Sequence, residues 1–296
     1  MRKLLFALGL FISLFTFGQG VNVLHTTSYP ITTGAAAPSY STEYQAVYDE
    51  FTTPPTTYDE DQDQLVIDLV AAGYWARIDA MWVFAQETNG GGEAYLNWKD
   101  PTGTDAVGIN SPTFTANEGF TGNDNNMAVN LNFIPSSDGV NFTQNDATVV
   151  FYSRTAAAQD AETSVGGGDG TRSIFCSPYY VDEGAYWSIN TGGYVGQTNS
   201  DGTGAGCFSF TRTGATATRV YRNGAAITDE QANGSNGLPT VTQYALAFNN
   251  NGSIDEPSSR QISIVLYMDG TADAADADGI NDIIETFADA VGFGVQ

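Results

Sequence analysis

The spacing of apolar residues changes twice along the chain. Between positions 41 and 75, apolar residues recur three and four positions apart, which is the period of one face of a helix. From position 93 onward they form short runs separated by loops rich in Gly, Asn, Asp and Ser, which is typical of strands joined by turns. Helical spacing returns after position 271. The pattern therefore predicts helices on both sides of a β region.

Two helices and a strand are predicted before the β region. The helix in 41–51 has Tyr44, Val47, Tyr48 and Phe51 on one face, and the prolines that follow end it. The helix in 59–75 begins with three acidic residues, which favour the positive end of a helix. Its apolar face consists of Leu65, Val66, Leu69 and Val70. The apolar run at 81–85 is predicted as a buried strand.

The β region contains many short apolar runs, and no helical stretch between them could carry a parallel crossover. These runs lie at 94–98, 127–133, 147–153, 173–177, 185–189, 207–211, 219–223, 244–248 and 262–268. Asn223-Gly224 predicts a tight hairpin, because both central residues of that turn must accept a positive φ. The segments 166–170 and 199–206 are predicted as flexible loops. We expect a mainly β fold, an antiparallel two-sheet sandwich or a barrel.

The C-terminal segment predicts one more helix. Its apolar face consists of Ile280, Ile283, Ile284, Phe287 and Val291. Acidic residues crowd its first turn, and Gly292 is placed to cap its end. The run Asp276-Ala-Asp278-Gly279 also fits a calcium-binding loop in part, but the start of a helix explains the same acidic residues without a metal.

The N-terminus resembles a secretory signal peptide. Two basic residues precede an apolar run at 4–17 that is too short to span a membrane comfortably. We therefore predict a signal peptide at 1–20, with a retained anchor as the alternative, and an extended leader at 21–40. A short helical element at 41–58 and a sandwich domain at 59–296 follow. No membrane span is expected in the mature chain.

The charge of the chain excludes some partners. Removing the signal peptide, with Arg2 and Lys3, takes the formal charge from -24 to -26. Nucleic acids and anionic membrane surfaces are therefore poor partners, since both need clustered Lys and Arg. The acidity either keeps the protein soluble or supplies ligands for Ca²⁺. Asp124 and Asp146 are the candidate calcium ligands, although such loop residues are also ordinary turn formers.

Six stretches and the C-terminal helix, taken in order, resemble the concanavalin A-like, laminin G-like jelly-roll domains of phage tail-associated and secreted bacterial proteins. The stretches lie at 71–86, 96–101, 111–123, 141–155, 210–214 and 219–227. The resemblance implies a two-sheet antiparallel jelly roll that binds glycans or cell surfaces, or in some members cleaves polysaccharides. A signal-like N-terminus is unusual for a phage tail component, so an exported bacterial surface protein is the rival setting.

Catalytic groups are scarce in the sequence. The single histidine, His25, lies in the leader, which excludes a Ser-His-Asp triad or a histidine zinc site within the sandwich. The resemblance implies that catalytic members carry a Glu-x-Asp-x-x-Glu strand, and this chain has none. Glu87 and Glu93 flank a glycine turn and are the remaining candidates for paired carboxylates, with simple solvation as the alternative.

Binding residues are concentrated in the segment 185–202, where aromatic rings can stack on a sugar and amides and carboxylates can frame it. The candidates are Tyr186, Trp187, Asn190, Tyr194, Gln197, Asn199 and Asp201. Some of these rings could instead fill the core. Cys176 and Cys207 lie beside strand-like runs in a chain that is predicted to be exported, so a disulfide is expected, with two buried free thiols as the alternative.

The sequence therefore predicts a non-catalytic recognition module, secreted, at the cell surface or on a virion, whose partner is a glycan or a cell-surface receptor. Two alternatives stay open. One is a structural subunit that associates with copies of itself, using the leader at 21–40 as a connecting arm. The other is an enzyme that degrades polysaccharides.

Overall fold

Most of the runs predicted as strands form two sheets that stack face to face. A computed structural model describes residues 39–160, 162–271 and 273–296. The predicted signal peptide, the leader up to residue 38 and His25 lie outside these described residues. The antiparallel two-sheet sandwich expected from the sequence is confirmed, with one parallel strand pair as an exception.

The described residues contain four α-helices and two short 3-10 helices. The α-helices are α1 (Thr42–Tyr48), α2 (Asp59–Ala71), α3 (Pro135–Asp138) and α4 (Ala274–Val291), and the 3-10 helices are Trp75–Arg77 and Glu93–Tyr95. The strands are β1 (Ile78–Val83), β2 (Val107–Ile109), β3 (Thr113–Thr115), β4 (Gly119–Thr121), β5 (Ala128–Asn130), β6 (Ala147–Ser153), β7 (Val165–Gly168), β8 (Ser173–Ser177), β9 (Gly184–Thr191), β10 (Val195–Thr198), β11 (Gly206–Arg212), β12 (Ala217–Arg222), β13 (Ala225–Ala226), β14 (Gln231–Ala232), β15 (Tyr244–Ala245), β16 (Phe248–Asn250), β17 (Ser253–Asp255) and β18 (Gln261–Met268).

Each sheet has nine strands among the described residues. The first sheet runs in the order β13-β12-β11-β6-β18-β4-β3, with β1 beside β18 and β14 beside β12. The second runs in the order β10-β9-β8-β7-β15-β5-β2, with β16 beside β7 and β17 beside β16. The pair β16–β7 is the parallel one. Both β10 and β13 therefore end their sheets at an open edge.

Two separate cores lie on the two faces of the first sheet. Between the sheets, Phe151, Phe208 and Phe210 stack on one another with ring centroids 5.5 to 6.3 Å apart. On the outer face, Val150 and Tyr152 pack against α1, α2 and α4. Because both faces are covered, every residue of β6 is buried. The three long helices all lie on the first sheet.

The helices begin and end largely as their sequences predict. In α1, Tyr44 and Val47 face the core, and in α2 the predicted face is buried except for Val70, which is 41% exposed. Helix α4 begins after Asp273, whose side chain accepts a hydrogen bond from the N–H of Asp276, and Gly292 ends it at φ 90°. The acidic run at 276–279 is therefore part of a helix, as expected.

The predicted hairpin is confirmed. Asn223 and Gly224 adopt φ values of 50° and 77° between β12 and β13. The run at 94–98 is not a strand, because the left-handed turn at Gly92 leads into a 3-10 helix instead. The run at 244–248 is divided into β15 and β16 by Leu246, which has a φ of 69°.

The glycines at 166–168 form strand β7 and are not a flexible loop. A Cβ atom on Gly166 would lie 2.4 Å from the carbonyl oxygen of Ile174 on the neighbouring strand. A side chain there would push β7 and β8 apart. Glycine is needed for this close approach, so the composition that predicted flexibility marks a tightly packed strand.

The predicted disulfide is absent, and this expectation was wrong. Cys176 and Cys207 are both buried and free. Cys176 lies on β8 and faces the core between the sheets, whereas Cys207 lies on β11 and faces the helices. The first sheet separates the two thiols. Burial raises the pKa of both, so neither is a ready nucleophile.

A buried ion pair joins the loops at one end of the sandwich. Glu162 and Arg260 are fully buried, and Nε of Arg260 donates to Oε1 of Glu162 at 2.9 Å. The guanidinium also donates to the backbone carbonyls of Thr155 at 2.9 Å and Tyr179 at 2.8 Å. Ser177 donates to the same carboxylate at 2.7 Å. Loss of one charge would leave the other buried without compensation.

We predict that Arg260→Gln lowers the free energy of unfolding by about 3–5 kcal/mol, because Glu162 is left charged and buried. Arg172→Gln breaks the more exposed pair with Asp169 and should change it by less than about 1 kcal/mol. Denaturant titration of both variants tests the difference. Equal stabilities would show that the buried pair contributes no more than a surface pair.

We also predict that both thiols react with Ellman's reagent in denaturant without any added reductant. The native protein should react slowly, because both sulfur atoms are buried. A protein that yields thiols only after reduction would contradict the free state of Cys176 and Cys207.

Candidate ligand-binding surface

A connected row of aromatic rings lies on the outer face of the second sheet. Five residues of β8, β9, β16 and the adjoining loops form it, and we call it the aromatic row: Phe248, Phe175, Tyr194, Tyr186 and Tyr180. Neighbouring ring centroids along the row are 6.0, 5.6, 6.0 and 4.8 Å apart. These spacings are those of interacting aromatic pairs.

Strand alternation places these rings outside the sandwich. Cys176 and Trp187 are paired across β8 and β9 and face the core between the sheets. Successive residues on a strand point to opposite faces, so their neighbours Phe175 and Tyr186 point outward. Tyr194 precedes β10 and reaches the same face, where its ring lies nearly parallel to that of Phe175, at an interplanar angle of 22°.

Glycines beneath the row let the rings lie close to the backbone. A Cβ atom on Gly196 would lie 2.2 Å from the ring of Tyr186, and one on Gly184 would lie 2.6 Å from the same ring. A Cβ atom on Gly168 would lie 2.8 Å from the ring of Phe248. Any larger residue at these positions would lift the rings off the sheet. The glycines therefore form the floor of the row.

Carboxylates hold the two tyrosines at one end. The hydroxyl of Tyr186 donates to Asp182, whose other oxygen accepts the N–H of Gly184 at 3.0 Å. The hydroxyl of Tyr180 donates to Glu256 at 3.1 Å. The bond to Asp182 raises the pKa of Tyr186, and burial together with Glu256 raises that of Tyr180. Both hydroxyls are thus fixed donors toward the protein.

Tyr194 is the exposed member of the row. It is 64% exposed, whereas Phe175 beneath it is 6% exposed. Tyr180, Tyr186 and Phe248 are half-buried. The row therefore presents one open ring face supported by rings that are held in the sheet, which is the form of a stacking platform.

Three of the predicted ligand-binding residues are structural, which corrects the expectation for them. Trp187 is fully buried, and its indole N–H donates to Oγ1 of Thr218 at 3.1 Å. The amide of Asn190 is buried and donates to the carbonyl of Thr143 at 3.0 Å. Asn199 is also buried, and it donates to the carbonyl of Pro178 at 2.8 Å.

The other four predicted residues divide between two places. Tyr186 and Tyr194 belong to the aromatic row. Gln197 lies at the sheet edge, where its side-chain oxygen accepts the N–H of Asp229 at 2.8 Å. Asp201 lies in the next loop and forms an ion pair with Arg222 at 2.9 Å.

Sequence reasoning missed Phe175, Phe248 and Tyr180. Phe175 had a signal, since alternation in the run 173–177 places it opposite Cys176 and Ile174. The sequence around Phe248 carries no such signal, because the left-handed turn at Leu246 changes the face of the sheet on which Phe248 lies. Tyr180 lies in a loop and carries no periodic pattern.

Both candidate catalytic carboxylates bind backbone groups. Glu87 accepts N–H groups from Thr57 at 2.6 Å and Tyr58 at 2.8 Å. Burial raises the pKa of Glu87, but these bonds outweigh it and lower the pKa below its usual value. Glu93 is buried and accepts the N–H of Thr53 at 2.9 Å. These two carboxylates thus tie the segment after α1 to the sandwich.

The candidate calcium ligands lie in separate loops. Oδ1 of Asp146 accepts the N–H of Gly270 at 3.0 Å, and Asp124 is exposed at a φ of 57°. The side chain beside it, Asn123, accepts three backbone N–H groups of its own loop. Within 39–160, 162–271 and 273–296, no three His, Cys, Asp or Glu side chains are grouped so that they could hold a metal ion.

None of the helices in the described part of the chain combines the length and the apolar character that crossing a membrane requires.

No protein-family model matches the sequence. No curated protein matches it either.

Several solved structures are similar to part of this chain. One is domain 4 of a GH43 extracellular arabinanase from Geobacillus stearothermophilus, in complex with arabinotriose, at 15% identity and a TM-score of 0.42, over 69% of this chain and 98% of that domain. Another is the CBM40 module of a Ruminococcus gnavus IT-sialidase, bound to α2,3-sialyllactose, at 13% identity and a TM-score of 0.41, over 54% of this chain and 96% of that module. A third is the botulinum neurotoxin serotype D binding domain, at 12% identity and a TM-score of 0.46, over 70% of this chain and 52% of that structure.

We predict that two aromatic truncations change the free energy of unfolding by very different amounts. Trp187→Ala should lower the free energy of unfolding by about 3–5 kcal/mol, because it leaves a cavity between the sheets. Tyr194→Ala removes an exposed ring and should change it by less than about 1 kcal/mol. Denaturant titration measures both. A Trp187→Ala protein as stable as the parent would show that this indole is not part of the core.

Proposed function

We propose that the protein is a non-catalytic module that binds a glycan on the aromatic row. The observation that carries the proposal is the ring of Tyr194, which is exposed on one face and stacked on Phe175 with its other face. A pyranose has an apolar face of C–H groups that suits such a ring. The ring beneath keeps Tyr194 in place, so little side-chain freedom is lost on binding.

The polar groups around the row support a sugar ligand. Asp182 and Glu256 each accept one tyrosine hydroxyl, and a carboxylate has further lone pairs that can accept sugar hydroxyls. Carboxylates at the edge of the row disfavour an anion directly on the rings. The sugar units that stack on the row are therefore neutral.

The same contacts support binding without cleavage. Glycoside hydrolysis requires one carboxylic acid and one free carboxylate on opposite sides of the scissile bond. At the row, Asp182 and Glu256 lie at the same end, each bonded to a tyrosine hydroxyl. Glu87 and Glu93 are occupied by backbone N–H groups elsewhere.

An exported protein of the cell surface is the setting we propose. The signal-like sequence at 1–20 supports it, and so does the excess of acidic residues, which keeps a secreted protein soluble. Display on a virion, in the manner of phage tail-associated jelly rolls, is the alternative setting. Self-association through 21–40 would be detected as particles larger than a monomer in light scattering.

The proposal predicts that Tyr194→Ala weakens binding to a neutral oligosaccharide by about tenfold, since stacking contributes roughly 0.5–1.5 kcal/mol for an aromatic pair. Screening the parent protein on a glycan array identifies the oligosaccharide, and calorimetry measures the affinity. Tyr194→Phe should bind as the parent does, because the ring face is kept.

The control is Trp75→Ala, which removes an aromatic ring on the helical side of the first sheet, where it lies against Lys99. This variant should bind normally. Unchanged binding by a folded Tyr194→Ala protein would rule out the row as the site. Release of reducing sugars from the bound glycan would rule out the non-catalytic role.

A further inference from the structure

A groove lies beside β10 at the open edge of the sandwich. It has a volume of about 570 Å³ and runs between β10 and the chain that follows β13. The residues that line it include Gln197, Thr198 and Ser200, and also Arg219, Thr228 and Asp229. Gly196, in the floor of the aromatic row, immediately precedes Gln197. The row and the groove therefore lie on the two sides of one edge strand.

Arg219 differs from the other cations of the protein. Among the lysines and arginines in the described residues, it alone has a side chain with neither a hydrogen bond nor an ion pair, and its Nε atom is buried. Arg222, three positions later on the same strand, is paired with Asp201. A guanidinium has five N–H donors, and a buried donor without an acceptor destabilises the folded state.

The other groups in the groove are also available as donors. The side-chain oxygen of Gln197 accepts the N–H of Asp229, which leaves the NH₂ group of Gln197 free to donate. The hydroxyls of Thr198 and Ser200 have no partner within the described structure. A guanidinium, an amide NH₂ and two hydroxyls together match the oxygens of a carboxylate, which a guanidinium can bind with two parallel hydrogen bonds.

We propose that the groove binds the carboxylate of an acidic sugar, with Arg219 as its main partner. The remaining units of the same glycan would lie on the aromatic row, one strand away. Only this last point rests on the proposed function. The carboxylate site itself depends on the groove alone.

Asp229 lowers the affinity of this site for a carboxylate. Its carboxylate lines the groove and is exposed, but it lies beyond ion-pair distance of Arg219. It repels an incoming carboxylate without neutralising the guanidinium. Binding should therefore be weak, and Arg219 and Asp229 should have opposite effects on it.

The test is titration of the full-length protein with glucuronate, and with glucose as the neutral match, followed by NMR in low salt. Arg219→Gln should weaken glucuronate binding by at least tenfold, and Arg219→Lys should weaken it less, because the charge remains but the paired donors are lost. Asp229→Asn should tighten it by roughly threefold, since a like charge is removed. None of these variants should change any response to glucose.

Absence of saturable glucuronate binding by the parent protein overturns the proposal. So does an Arg219→Gln variant that binds glucuronate normally, or an Asp229→Asn variant that binds it more weakly. If Arg219→Gln does not fold, the Asp229 variant still decides the result. Tyr194→Ala separates the two proposals, because it should weaken binding to the neutral oligosaccharide by about tenfold and leave binding of free glucuronate intact.

Discussion

The first sheet is packed on both faces, and the rest of the structure depends on this constraint. Its central strands β6 and β18 contribute alternate side chains to two cores, one against the helices and one against the second sheet. All three long helices are used on one side. None of these three helices covers the outer face of the second sheet, and the aromatic row lies on that face. Rings on that face are supported by a sheet whose inner face packs on the core between the sheets.

The buried ion pair and the glycine-rich strand β7 both restrict the backbone of the second sheet. Arg260 and Glu162 fix the loop before β7 and the loop after β8, and Gly166 allows these two strands to approach closely. Side chains at the row thus stand on a backbone with little freedom. The groove is different, because it lies at the sheet edge, where Arg219 has no such internal partner.

The elements with strong periodicity were predictable from the sequence. The helical face at 44–51, the face of α4 and the Asn223-Gly224 turn each depend on local spacing or on one backbone preference, so no distant contact was needed to find them. The glycines of β7 were misread, because a loop and a tightly packed strand can have the same composition. Only the contact with Ile174 distinguishes the two.

The candidate binding surface was predictable only in part. The segment 185–202 supplies Tyr186 and Tyr194 to the aromatic row, but Trp187 lies on the buried face of β9 and Tyr186 on the exposed one. Which face of β9 is buried depends on how the two sheets pack, and local sequence does not contain that information. Phe175 and Tyr180 come from other segments, and the topology of the sheet brings them to the same place.

The two unpaired cysteines have a consequence for biogenesis. Since Cys176 and Cys207 lie on opposite sides of a sheet and no crosslink joins them, the sandwich reaches its folded state without an oxidant. The folded state of the sandwich therefore contains no bond between Cys176 and Cys207 that a reducing agent could break.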